Sequence, residues 1–117
     1  MHKKRGDREF LLDMLHACNN IIKYTKNLNR DDFCNNDLIR DAVIRNIEIL
    51  GEASKRISNN LKQKYPEVEW SQISRTRDKI IHYYFGVNPD IIWDIVTKNI
   101  PPLLKKLQFI LKKEGWI

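Results

Sequence analysis

Apolar residues recur along this chain at intervals of three and four, a spacing that leaves a bundle of helices as the economical fold. Between Asp7 and Leu28, Leu11, Leu15, Cys18 and Ile22 form one row, and Phe10, Met14, Ala17, Ile21 and Tyr24 the next. Together they make a stripe wide enough for two neighbouring helices to cover. Asn27 to Asp37 is rich in Asn and Asp, which marks a connection and then an N-cap. A second helix is expected over Asp37 to Lys64, burying Ile39, Val43, Ile47, Leu50, Ser54, Ile57 and Leu61. Gly51 inside it costs about 1 kcal/mol relative to Ala and is read as a close helix crossing. Tyr65-Pro66 ends that helix, because a residue before Pro avoids the α region.

A third helix is expected from Trp70 to a C-cap at Gly86. Asn88-Pro89-Asp90 then supplies a cap, a first-turn Pro and an acid for a fourth. Its inward residues are Ile91, Ile92, Ile95 and Val96. Pro101-Pro102 must kink or break it, after which Leu103, Leu104, Leu107, Ile110 and Leu111 carry the pattern on. Nothing alternates as a strand would. The expected fold is all-α, an antiparallel up-and-down bundle of four to five helices in one domain over residues 1–117.

Composition narrows the class. Apolar residues make up 42% and charged residues 31% with both signs mixed, as in a globular chain rather than a disordered one. A net charge of +6 permits a nucleic-acid partner without establishing one. Much of the excess lies in His2-Lys3-Lys4-Arg5 and in Lys105, Lys106, Lys112 and Lys113, runs that also suit a solvated surface. Cys18 and Cys34 have no metal-ligand spacing and suit a reducing cytoplasm. No apolar stretch approaches the ~18 residues of a membrane span. Asp13 and His16 interrupt the one run resembling a signal peptide.

The stretch WSQISRTRDKIIHYYFG, Trp70 to Gly86, puts charge where a helix should be apolar. Trp70, Ile73, Ile80, Ile81 and Tyr84 share a face, and Arg77 lies in the middle of it. A buried unpaired guanidinium is expensive. So either a carboxylate meets Arg77 inside, or the face opens onto a site that needs a cation. His82 follows about 140° around, on the edge near Asp78 and Phe85. Arg45, Glu48 and Glu52 form a charged row on the second helix. That row is either a surface ion-pair ladder or the source of an acid, Glu48 or Glu52, that answers Arg77 and orders the site. Gly-rich phosphate loops, HExxH, nucleophile elbows and paired metal-ligand clusters are all missing. His2 and His16 lack charged partners at useful spacing. Charged Arg beside His suits phosphate-ester chemistry: one group steadies developing negative charge, and the other moves a proton near neutral pH.

The run Arg77-Asp78-Lys79-Ile80-Ile81-His82-Tyr83-Tyr84 resembles the R-x4-H-x-Y motif of the HepT-like toxins of the HEPN superfamily. The resemblance takes in Phe10 to Leu15, AVIRNIEILGEASKRIS from Ala42 to Ser58, Trp70, Tyr84 to Val87, Trp93 and the IPPLL segment. It implies a HEPN fold acting as a metal-independent ribonuclease with no cofactor of its own. It also implies a nucleotidyltransferase antitoxin of the MNT type as partner, which uses ATP to silence the toxin. Carried onto this chain, Arg77 and His82 would be the catalytic pair, and Asp78 would order the site. Tyr84 would receive AMP from the antitoxin. Tyr83 departs from the smaller or polar residue often found at its position, which bears on pocket shape.

Cleaving RNA without a metal needs a base for the 2′-hydroxyl, an acid for the 5′-oxygen and a cation for the phosphate. One chain supplies a single credible His. A two-fold homodimer would supply two, with two arginines between them. AMP on Tyr84 would add bulk and negative charge beside Arg77. Two rival expectations are a non-catalytic module binding RNA or nucleotide in the same cationic pocket, and a docking partner for the nucleotidyltransferase.

Overall fold

Helix α1 (Asp7–Thr25) begins where the Glu9 carboxylate reaches back to accept from the Gly6 N–H at 3.0 Å. Its Leu11, Met14, Ala17, Cys18 and Ile21 are all but fully buried, the wide stripe expected of a helix with neighbours on two sides. Those neighbours are α3 (Asp37–Arg56) and the last helix, α7 (Ile100–Lys113). Helix α5 (Trp70–His82) packs on the far side of α3. These four long helices make the all-helical bundle, with one continuous apolar core running through them. The computed structural model describes residues 5–82, 86 and 88–117.

Three features depart from the expected helix map. The Asn-rich connection contains a short helix, α2 (Arg30–Cys34). Asn29 caps it by accepting from the Asp32 N–H at 2.8 Å, and Asp32 returns to the Asn29 N–H. That reciprocal pair leaves two helix-start donors satisfied, while Phe33 plugs fully into the core. Asn36 then caps α3 by accepting from Ile39.

The single helix expected over Asp37 to Lys64 is two. Ile57 is extended, and α4 (Asn59–Lys64) restarts under a Ser58 cap. Both the N–H and the hydroxyl of Ser58 donate to Asp7, at 2.8 and 2.6 Å. A side chain that bonds backbone groups competes with the helix and favours its ends. Ile57 and Leu61 still reach the core, as their spacing predicted.

The fourth helix starts as expected, with Asn88 capping α6 (Pro89–Asp94). The distortion demanded by Pro101-Pro102 falls ahead of the prolines. Ile95–Asn99 forms a π-helical turn, in which Ile100 donates to Ile95, and α7 follows with both prolines in its first turn. Neither Pro has an N–H to give, and each ring crowds the carbonyl four residues back. A widened turn relieves that crowding. Three residues expected inside are not: Ile91 is 57% exposed, Ile81 39% and Tyr24 38%. Helix α7 ends in paired bonds, Trp116 N–H to Leu111 and Gly115 N–H to Lys112, with Gly115 at φ 76°, the left-handed position that glycine fills at no steric cost. The expected end of the third helix, Tyr83 to Val87 around the Gly86 cap, lies outside the described residues apart from Gly86.

Candidate ribonuclease site

Arg77 reaches its position because Gly51 has no side chain. A Cβ on Gly51 would sit 2.1 Å from the Arg77 Cβ and 2.5 Å from its Cγ. Helices α3 and α5 therefore cross with the arginine stem pressed onto bare backbone. This is the close crossing read from Gly51, and its partner is the charged residue of the motif. The stem is pressed against Gly51, yet the side chain as a whole keeps 26% exposure.

The guanidinium is held by two carboxylates. One Nη lies 3.0 Å from the Asp78 carboxylate and the other 3.5 Å from Glu52. Nε is buried without a hydrogen-bond acceptor. Asp78 also accepts from Lys55 at 2.7 Å. Lys55, and after it Arg77, holds the Asp78 carboxyl below its ordinary value, so it stays ionised and able to grip both cations. Glu52 is shared with Arg56 at 3.4 Å. Glu48 pairs with Arg45 at 3.2 Å and takes no part in the Arg77 cluster. The charged row on α3 is thus both a ladder and a source of one acid for Arg77. That acid is Glu52.

His82 is exposed on the last turn of α5. Asp78 precedes it by four residues, one helical turn on the same edge. Because Arg77 bonds Asp78, its guanidinium is drawn from the α3-facing side of α5 towards the edge that carries His82. Five residues separate Arg77 and His82, about 7.5 Å along the helix axis. Tyr84, the expected acceptor of AMP, lies outside the described residues. Lys55 is the site member that the motif did not announce; its signal was one helical turn from Gly51 on the same face. Among the described residues no group of three His, Cys, Asp or Glu side chains is placed to hold a metal ion. No helix among them is long and apolar enough to cross a membrane.

An all-helical bundle that seats an arginine and, five residues on, presents a histidine from one internal helix is of the HEPN type. Within that class the chain belongs to the Ribonuclease HepT-like family, whose model matches residues 14–110. It is 39% identical over 107 residues to "Putative RNase MJ1380" of Methanocaldococcus jannaschii, covering 92% of this chain and 98% of that one. "Putative RNase MJ0127" of the same organism is 41% identical over 109 residues, covering 93% and 90%. "Probable ribonuclease HepT" of Thermococcus cleftensis is 39% identical over 109 residues, covering 93% and 99%. No solved structure matches the chain significantly.

Proposed function

We propose that this protein is the toxin of a type II toxin–antitoxin pair, an endoribonuclease that cleaves RNA without a metal through Arg77 and His82. The observation that carries the reading is the seating of Arg77: stem over Gly51, side chain partly exposed, and Nη bonded to an Asp78 that lies one turn from His82. A purely structural arginine would bury its side chain along with its donors. This one keeps an open side towards solvent on the edge where a proton-transfer group also emerges.

The reaction follows from the groups available. A histidine imidazole takes the proton of the ribose 2′-hydroxyl, and O2′ attacks the phosphorus. The bond from phosphorus to the 5′-oxygen breaks, and an imidazolium returns a proton to that oxygen. The products are a 2′,3′-cyclic phosphate and a 5′-hydroxyl. Arg77 stabilises the extra negative charge on the phosphoryl oxygens in the transition state. Base and acid require two imidazoles, so the site is composite across a homodimer axis, one His82 from each subunit. The exposed Ile81 beside His82 gives such a dimer an apolar contact. A nucleotidyltransferase antitoxin silences the site by AMP transfer. The Tyr84 oxygen attacks the α-phosphorus of ATP, pyrophosphate leaves, and the added phosphate opposes Arg77.

The test is cleavage of end-labelled RNA by the purified protein in chelator. Cyclic phosphate ends are expected, with losses of about 10²-fold or more in His82→Ala and about 10²–10³-fold in Arg77→Gln. Products ending in a 3′-hydroxyl, or full activity of either variant, would overturn the mechanism. Binding of RNA that survives in both variants with no cleavage by the wild type would leave a binding module instead. For silencing, mass spectrometry after incubation with the partner and ATP should show one AMP on the wild type and none on Tyr84→Phe.

A further inference from the structure

The strand that the proposed ribonuclease cleaves needs a path to His82, and the unpaired cations mark one. Every arginine described, apart from Arg75, is ion-paired to an Asp or Glu. Arg75 is exposed and, among the described residues, has no acidic partner. The same holds for Lys79, one turn further along α5. Arg75, Lys79 and His82 stand at i, i+4 and i+7, within about 60° of arc on the helix wheel. At its lower end this row enters an open trough between α4 and the start of α5. Arg75, Lys62, Asn59, Gln63 and Gln72 line it, with Glu69 as the one acid on its wall. Lys62 also has no acidic partner among the described residues.

In a molecule that otherwise matches its arginines to carboxylates, Arg75 and Lys79 stand without an acidic partner on the helix edge that leads to His82, where an anion from outside can meet them. We propose that a single strand of RNA lies along this edge, its phosphates on Lys62, Arg75 and Lys79 and its scissile linkage at His82. One cation per helical turn follows one backbone, and amide side chains in the trough can meet unpaired bases without demanding a sequence. This path rests on the ribonuclease reading for its direction, but it makes a claim about binding that can fail separately.

The probe is a fluorescein-labelled single-stranded 2′-O-methyl oligoribonucleotide, which has no 2′-hydroxyl to attack and so reports binding alone. Affinity is measured by anisotropy across a salt series for the full chain. Neutralising one phosphate contact on a single strand lowers the slope of log affinity against log salt by about 0.7. Lys62→Gln, Arg75→Gln and Lys79→Gln should each lower it by that amount, and the triple variant by about 2. Lys23→Gln and Lys26→Gln, exposed cations at the end of α1, should leave it unchanged. A triple variant with the wild-type slope overturns the path. So does displacement of the probe by polyglutamate or duplex RNA as readily as by single strands, since the row would then serve any acidic surface. If the wild type fails to cleave RNA yet the slopes change as stated, the path stands and the nuclease reading falls. If it cleaves and the slopes do not change, the path falls alone.

Discussion

Replacing Gly51 by Ala is the smallest change that should disturb both the bundle and the site. Non-bonded carbons settle about 3.5 Å apart, whereas the added carbon would start 2.1 Å from the Arg77 Cβ. Neither atom lies at the end of a flexible side chain, so α3 and α5 must separate by about 1.4 Å. Overpacking of this kind costs about 1–3 kcal/mol, and the rigidity of two helix backbones puts it at the upper end. Ala returns about 1 kcal/mol through its better helix propensity. The expected net loss is about 2 kcal/mol, which for a chain of this size lowers Tm by roughly 8 °C. Separating the helices also displaces the guanidinium by about an ångström, enough to cost roughly 10²-fold in cleavage. Thermal unfolding and an RNA cleavage assay measure the two effects. The stability loss should persist in an Arg77→Ala background, because the nearest clashing atom is the Cβ that alanine retains. A Gly51→Ala protein as stable and as active as the wild type would refute the close crossing as the seat of Arg77.

Asp78→Asn removes the charge that holds Arg77 and Lys55 together, and cleavage should fall while urea unfolding stays cooperative. Asp78 has its folded-state pKa lowered from 3.8. Its ion pairs therefore stabilise above that value and lose their effect as pH falls through the lower folded-state one. The stability gap between wild type and Asp78→Asn should be widest near neutrality and close in acid, as the pH falls through the lowered value; a gap that widens in acid would contradict this. Burial pushes the Cys18 thiol up to about 12, while Cys34 is partly exposed. Iodoacetamide at about pH 8 should alkylate Cys34 first and reach Cys18 only on unfolding; equal rates by mass spectrometry would contradict the packing of α1.

The long helices were legible because each carries a wide apolar stripe, and Leu11, Val43 and Leu107 are buried as their spacing demands. Breaks were less so. Ile57 and Leu61 fit one uninterrupted period, so nothing in the apolar pattern reveals the turn at Ser58, which depends on a carboxylate 51 residues away in sequence. Phe33 looked like part of a loop because a single turn of helix is too short to show a period. Ile91 shows the opposite failure: its spacing suits the core, but α6 is too short to bring a full stripe against α2. At the site, the anomaly of Arg77 was visible at once, because charge on an apolar face is rare and local. The choice between Glu48 and Glu52 was not, since two acids one turn apart share a face and only the tilt of α5 across α3 selects between them. Gly51 was recognised as a crossing, but a sequence does not say what crosses it.

The π-helical turn before Pro101 makes the length of the last arm discrete. Ile92 on one side and Ile100 and Leu107 on the other are anchored in the same interior, so the two rods cannot rotate to absorb an edit between them. A wide turn is an ordinary helix carrying one surplus residue. Trimming a single residue from Ile95–Asn99 would keep both rods in phase but return the proline rings to a tight coil that rejects them. Only the trimmed chain with both prolines also exchanged for alanine has an unstrained alternative, and it should fold with a straight arm where this one bends.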